Sequence, residues 1–273
     1  MYVLIHITFC NISWPTSLES YNYVVYNFKI EHFLFPQLII LCYLFMITYF
    51  FSILTPFTSA ISFNFTSFSS SDSNITYERA FAVNQVIQLT GNQLALEYVG
   101  GATYFRPMHL WDNNSQNLTD FTTHFSFAID SQHRSVYGDV LAFFLAPVSS
   151  KFPKTKGVST IDLTHDDQAL DSKDNPFVAV EFDIYSSVYL DPPGEHVGID
   201  VNSLKSVANI SWYSNIAIKE GKKNEAWISY NSSSHNLSVF FTGFRYNVPI
   251  RQFLSTNVDL SHFLPEGYFW ILS

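Results

Sequence analysis

Polar and apolar residues alternate along much of the chain after residue 60. Ile61 to Phe65 and Phe121 to Ile129 (FTTHFSFAI) repeat with a period of two, the pattern of a strand with one face buried. Val140 to Ala146 (VLAFFLA) is a continuous apolar run set between Gly138-Asp139 and Pro147, which predicts a strand buried on both faces. Val178 to Ile184, His196 to Val201, Glu225 to Tyr230 and Asn236 to Thr242 read as further strands, separated by clusters of Gly, Pro, Asn and Ser. No helical period is sustained beyond residue 60. Many short strands and few helices predict an all-β fold, a jelly-roll sandwich of antiparallel sheets. No repeat or low-complexity linker divides residues 61–273, so they read as one domain.

The first 60 residues follow a different pattern. Phe33 to Leu54 is a run of 22 residues without a charge, preceded by Lys29, Glu31 and His32 and followed by Thr55-Pro56-Phe57-Thr58-Ser59-Ala60. An apolar run ending in small residues reads as a secretory signal cleaved after about Ala60. Its length also suits a signal anchor, which would attach the protein to a membrane through residues 33–54. Residues 33–60 are assigned to this element. Residues 1–32 fit neither role and read as an extension ahead of the natural start. Beyond residue 60, N-x-S/T sequons begin at Asn64, Asn74, Asn113, Asn117, Asn209, Asn231 and Asn236. They agree with export, to the extracellular space or the outer face of the plasma membrane.

Composition narrows the classes. The chain has 273 residues, 27 Phe, 16 Tyr and a formal charge of -9. No basic patch is present, which argues against a nucleic-acid partner. Cys10 and Cys42 both precede residue 61, so neither disulfides nor thiolate-bound metal can hold the main domain. An apolar core must do so, and about 200 residues suffice to bury one.

The chemistry concentrates between Phe177 and Asn202 (FVAVEFDIYSSVYLDPPGEHVGIDVN). Glu181 and Asp183 stand two apart on an apolar strand, so both project to the same face. Asp191 and His196 follow across a Pro-Pro-Gly loop. Three carboxylates and an imidazole on adjoining strands make a candidate divalent-metal cradle. Oxygen ligands suit calcium, and a mixed carboxylate and imidazole set suits an ion such as manganese. An isolated Glu-x-Asp is more often a solvated strand face. Here Val178, Val180 and Phe182 bury the opposite face, and the His-Val-Gly-Ile-Asp return strand brings His196 beside the carboxylates.

These blocks together resemble the legume-type (L-type) lectin domain of plant seed lectins and of lectin receptor kinase ectodomains. The resemblance runs from ISFNFTSF at 61–68 through RPMHLWD at 106–112, FTTHFSFAI and GDVLAFFLAP at 138–147. It continues through VEFD…DP…HVGIDVNSL to VDLSHFLPE at 258–266. It implies a concanavalin-like sandwich and carbohydrate binding without catalysis. Glu181, Asp183, Asp191 and His196 would hold manganese, and the two Asp would bridge to calcium. The Tyr185 carbonyl and the residue at 187 would complete the calcium site. That residue is Ser187 where the family carries an Asn that both ligates calcium and donates to the sugar. Asp139 would accept hydrogen bonds from sugar hydroxyls, the backbone N–H of Gly157 would donate one, and the Tyr185 ring would stack on the sugar. Glycans or glycoproteins are the implied partners, with a homo-oligomer as the assembly.

Two other readings compete. A lectin-like defence or interaction protein that has lost sugar binding is consistent with Ser187 and with the altered loop around Gly157. A glycoside hydrolase of similar architecture needs a second carboxylate close to the first, and Ser186 stands where Glu-x-Asp-x-x-Glu would supply it. After Glu266 the chain also departs from the family. Gly267 to Ser273 replace a longer run of two strands, which predicts incomplete last strands, an open sheet edge and lower stability than a complete relative.

Overall fold

A computed structural model describes residues 6–9, 34–54, 61–90, 99–113, 117–135, 137–138, 140–148, 150, 172, 175–185 and 189–272. In chain order the strands are β1 (His6–Phe9), β2 (Ile75–Glu78), β3 (Phe81–Val83), β4 (Val86–Gln88), β5 (Gly101–Tyr104), β6 (Met108–Asp112), β7 (Asn117–Leu118) and β8 (Phe121–Phe127). They continue with β9 (Val140–Pro147), β10 (Val178–Asp183), β11 (His196–Val201), β12 (Ala208–Ser211), β13 (Asn224–Asn231), β14 (Asn236–Arg245), β15 (Val248–Asn257) and β16 (Gly267–Leu272). The helices are α1 (Leu34–Leu54), α2 (Asn215–Glu220) and α3 (Leu260–Phe263).

The strands form two main antiparallel sheets. One has five strands in the order β1-β8-β13-β14-β15. The other has nine, with β12-β11-β10-β9-β16-β5-β2 as its path and β6 and β7 joined beside β16. Turn chemistry sets the hairpin registers. Tyr246 and Asn247 both take positive φ (51° and 63°) between β14 and β15, as a two-residue turn matched to strand twist requires. Asn84 and Gln85 (51° and 66°) do the same between β3 and β4.

Aromatic residues from the two sheets meet in the core. Phe125 and Phe127 on β8 contact Phe182 on β10, with ring centroids 6.2 and 4.8 Å away. Phe182 also lies 5.4 Å from Trp212 and 5.9 Å from Phe241. In β8 alternate residues are buried and in β9 nearly all are, so the two patterns read from sequence hold. α2 is a single short element that ends on Gly221 at φ 58°, a left-handed cap that glycine takes at no steric cost.

Four expectations differ from what is found. Ile61 to Phe65 makes only an isolated bridge at Asn64 rather than a strand. β15 was not foreseen, because its first residues, Val248 and Pro249, are exposed apolar side chains that break the expected alternation. Residues 6–9, expected to lie outside the domain, pair with β8. The last segment does not leave the edge open that was expected: β16 pairs with β9 on one side and with β5 and β6 on the other. Six residues at about 3.3 Å each reach roughly 20 Å, enough to run alongside both neighbours.

Residues 14–60 form a separate compact unit that contains α1. Its side chains are described from 39 to 50, and all of them are exposed. Counted over those described residues, no helix is long and apolar enough to cross a membrane.

Candidate metal and glycan site

β10 and β11 carry the site. Their register sets Asp183 opposite His196, Glu181 opposite Gly198 and Ala179 opposite Asp200. Cross-strand partners share a face, so Glu181, Asp183, His196 and Asp200 all stand on the side away from Val178, Val180 and Phe182. The Pro-Pro-Gly turn, with Gly194 at φ 87°, brings Asp191 back over this face. Glu181, Asp191 and His196 thereby converge, with one donor atom from each within 4.8 Å of the others.

The fine structure orients these donors. His196 Nδ1 lies 3.3 Å from the Gly194 carbonyl, to which only an N–H can donate. That contact turns Nε2 inward, 3.3 Å from Glu181 Oε1. Ser206 Oγ donates to the same carboxylate oxygen at 2.7 Å. Gly198 leaves the space these groups occupy, since a Cβ there would meet Ser206 Oγ and Glu181 Oε1. Asp183 stands just outside the converging trio, and its Oδ1 accepts a 2.6 Å hydrogen bond from the Tyr185 N–H.

Electrostatically the face is overloaded with acid. Glu181, Asp183, His196 and Asp200 are buried. Burial, reinforced by Glu181 and Asp191 against the opposing Tyr185 hydrogen bond and His196, pushes the Asp183 carboxyl up to about 8. Burial and the nearby Glu181 raise Asp200 well above the ordinary carboxylate range. Neither Asp200 oxygen has a hydrogen-bond partner of good geometry, although Ser206 and Glu181 lie close enough to bias it. Burial alone would lower His196, but the hydrogen bond and charge of Glu181 outweigh it and raise the imidazole. Buried like charges of this kind are costly unless something cationic compensates them. A divalent ion with oxygen and imidazole ligands fits this donor set.

The expected sugar-side residues are only partly described. Asp139, Gly157 and Ser187 lie outside the described residues. Tyr185 is 57% exposed. Gly138 packs beside it, so that a Cβ on Gly138 would meet Tyr185 Cβ at 3.3 Å. The loop leading to Asp139 and the loop after Asp183 are therefore neighbours. Tyr189, which the sequence reading passed over, is 91% exposed on the same loop. Asp200, Gly198 and Ser206 were also passed over. The alternation of H-V-G-I-D-V places Gly198 and Asp200 on the His196 face and could have revealed both. Trp111, Trp212 and Trp227 have structural roles. Trp212 Nε1 donates to the Thr242 carbonyl at 2.9 Å, Trp111 Nε1 to the Leu264 and Pro265 carbonyls, and Trp227 stacks on His124 at 4.7 Å.

The fold and this face define a lectin-type sandwich, and comparison with known proteins agrees. The legume lectin domain family model matches residues 60–271. The chain is 36% identical over 221 residues to Lectin 6 of Medicago truncatula, covering 76% of this chain and 77% of that one. It is 35% identical to bark agglutinin I polypeptide B of Robinia pseudoacacia, covering 77% and 72% of the two chains. Lectin I of Ulex europaeus, solved with the methyl glycoside of α-L-fucose, superposes with a TM-score of 0.68 at 31% identity, covering 78% of this chain and 88% of that one. The protein belongs to the legume lectin family. These relatives are named lectins and agglutinins, which bind sugars and do not catalyse, so the hydrolase reading falls away.

Proposed function

We infer that the protein binds glycans or glycoproteins through a shallow site organised by calcium and manganese. The observation that carries this reading is the convergence of Glu181, Asp191 and His196 on a buried face that three carboxyl groups and an imidazole otherwise crowd. Glu181, Asp183, Asp191 and His196 would hold the transition ion. Asp183 and Asp191, with the Tyr185 carbonyl and Ser187, would hold calcium. Such ions neutralise the acidic face and order the loops that follow β10. The sugar would then lie where Gly138 meets Tyr185, with Asp139 accepting from its hydroxyls, Gly157 donating and the exposed Tyr185 ring stacked on its apolar face. The Ulex lectin was solved with a fucoside, and a pyranose is the class of ligand inferred here.

Ser187 sustains the second reading, a lectin-like defence or interaction protein without sugar binding. Serine is shorter than the family's asparagine and has no amide to donate. A glycan array probed with and without a chelator separates the two. Binding that vanishes with chelation and returns with calcium and manganese supports the first. A folded, metal-loaded protein that binds no glycan supports the second.

Export is part of the same proposal. Six of the sequon asparagines are exposed, namely Asn64, Asn74, Asn113, Asn117, Asn209 and Asn231, and Asn236 is half-buried. Passage through the secretory pathway would glycosylate some of them, and the protein would act as a secreted homo-oligomer or be attached through residues 33–54. A mass shift reversed by an N-glycosidase checks this.

A further inference from the structure

The segment that leads into β9 is held from three sides. Val140, at its end, pairs opposite Asp183 on β10. Gly138 packs against Tyr185 in the loop after β10. Tyr137 reaches the turn before β11, where its hydroxyl donates to Glu195 Oε1 at 3.4 Å. The first two contacts tie the segment to the strand of Glu181 and Asp183. The third ties it to the turn that carries Asp191 and leads into His196.

Both partners of that hydrogen bond are anchored. The Tyr137 side chain is half-buried and packs against the main core. Glu195 is half-buried as well, and its carbonyl accepts from the Trp212 N–H at 2.9 Å. Burial, followed by the charge and hydrogen bond of Glu195, raises the Tyr137 phenol above its ordinary value, so the hydroxyl remains a donor at neutral pH. A phenol donating to a carboxylate makes a charge-assisted bond, and the low local dielectric strengthens it.

We propose that Tyr137 and Glu195 are positioning residues, a latch that ties the segment entering Asp139 to the turn that delivers Asp191 and His196. The proposal rests on the metal and glycan reading above and supplies a link between its two halves. An ion that fixes Asp191 and His196 also fixes the turn between them. The latch passes that restraint to Tyr137 and Gly138, and so to the sugar side. Coupling between two binding sites is reciprocal, so a bound sugar would tighten the ions by the factor with which the ions tighten the sugar.

Hydrogen exchange on the full chain, with manganese and calcium chloride added, tests this. Tyr137→Phe keeps the ring and removes the donor. Glu195→Ala removes the acceptor, whereas Glu195→Gln keeps an acceptor oxygen. Tyr137→Phe and Glu195→Ala should each speed exchange of the amides at 138 and 139 about tenfold, the lower end of what a bond to a charged acceptor supplies. Glu195→Gln should stay within about threefold of the wild type, and Tyr137→Phe with Glu195→Ala should exchange no faster than either alone, because both remove one bond. Exchange in β14 and β15 should not change, which separates the latch from a general loss of stability. In Tyr137→Phe, manganese affinity measured without glycan should stay within about twofold, while affinity for a methyl pyranoside bound by the wild type should fall about fivefold. Unchanged exchange at 138 and 139 in Tyr137→Phe, or additive effects in the double variant, would overturn the proposal and leave the metal and glycan reading standing. A folded wild type that takes up neither ion would overturn both.

Discussion

The two sheets solve the same packing problem differently. In the five-stranded sheet, β13 and β14 alternate buried and accessible residues. Trp227, Phe240 and Arg251 stand on its outer side, with Arg251 5.5 Å above the Trp227 ring. That face meets water and its cost of formation is ordinary. In the nine-stranded sheet, every residue of β10 and of β11 is buried. One side of β10 contributes Phe182, Val180 and Val178 to the main core. The other side sets Ala179, with Phe144, Ala146, Phe177 and Leu204, into a small second cluster, and beside it buries acids. The contrast teaches that a doubly buried strand pair need not be apolar on both sides. It can house ionisable groups where a ligand is to neutralise them.

Phe182→Ala should give the largest effect that follows. The side chain is fully buried among four rings, and removing it should cost about 3–5 kcal/mol, read from chemical denaturation. Phe240→Ala, on the outer face and 49% exposed, should cost less than about 1 kcal/mol. Comparable losses at the two positions would erase the distinction drawn between the sheets.

Next in size is removal of a metal donor. Glu181→Ala or His196→Ala should weaken manganese binding by more than the roughly 10–100-fold that loss of a supporting partner costs, measured by titration calorimetry. In chelator Glu181→Ala should be as stable as the wild type or more so, because the buried repulsion is relieved, whereas His196→Ala should be less stable, because it strips buried Glu181 of its imidazole partner. Gly198→Ala should act on the same face through packing alone. Its added methyl has to displace Ser206 and Glu181, which should cost about 1–3 kcal/mol and lower metal affinity as well.

The pH dependence of the metal-free protein has a defined sign. Asp183 ionises at about 8 in the folded chain, against an ordinary value of 3.8. Between those values the unfolded chain has lost a proton that the folded chain keeps, so stability falls as pH rises. Asp200 is displaced in the same direction. His196, raised by Glu181, adds stability below its unfolded pKa that is lost as pH passes its folded one. All three contributions favour the acid side. Saturating metal should flatten or reverse the slope, because its ligands bind deprotonated. Denaturation midpoints from pH 5 to 8, with and without metal, check this.

Much of this contrast was legible in the chain itself. Val178 to Ile184 and His196 to Val201 emerged almost residue for residue, because an apolar stretch interrupted at alternate positions by acids admits few other readings. Glu181 and His196 were legible for the same reason, and Asp191 because it follows Glu181 and Asp183 just ahead of the Pro-Pro-Gly turn that joins the two strands. The face Asp200 shares with His196 was legible in the alternation of H-V-G-I-D-V, but its complete burial was not, since an acid there looks like a strand end until Ala179 is seen opposite it. β15 was hidden by its exposed Val248 and Pro249, and α2 because six residues are too few to show a period. The pairing of β1 and β16 depends on distant partners, Phe125 on β8 and Leu145 on β9, that no local pattern names.

The central claim is that the buried acidic face is a metal cradle. Manganese titrated into the folded, metal-stripped protein tests it most directly. The account predicts saturable binding with proton release, lost in both Glu181→Ala and His196→Ala. A folded wild-type protein that takes up no ion, or variants that bind as the wild type does, would contradict it.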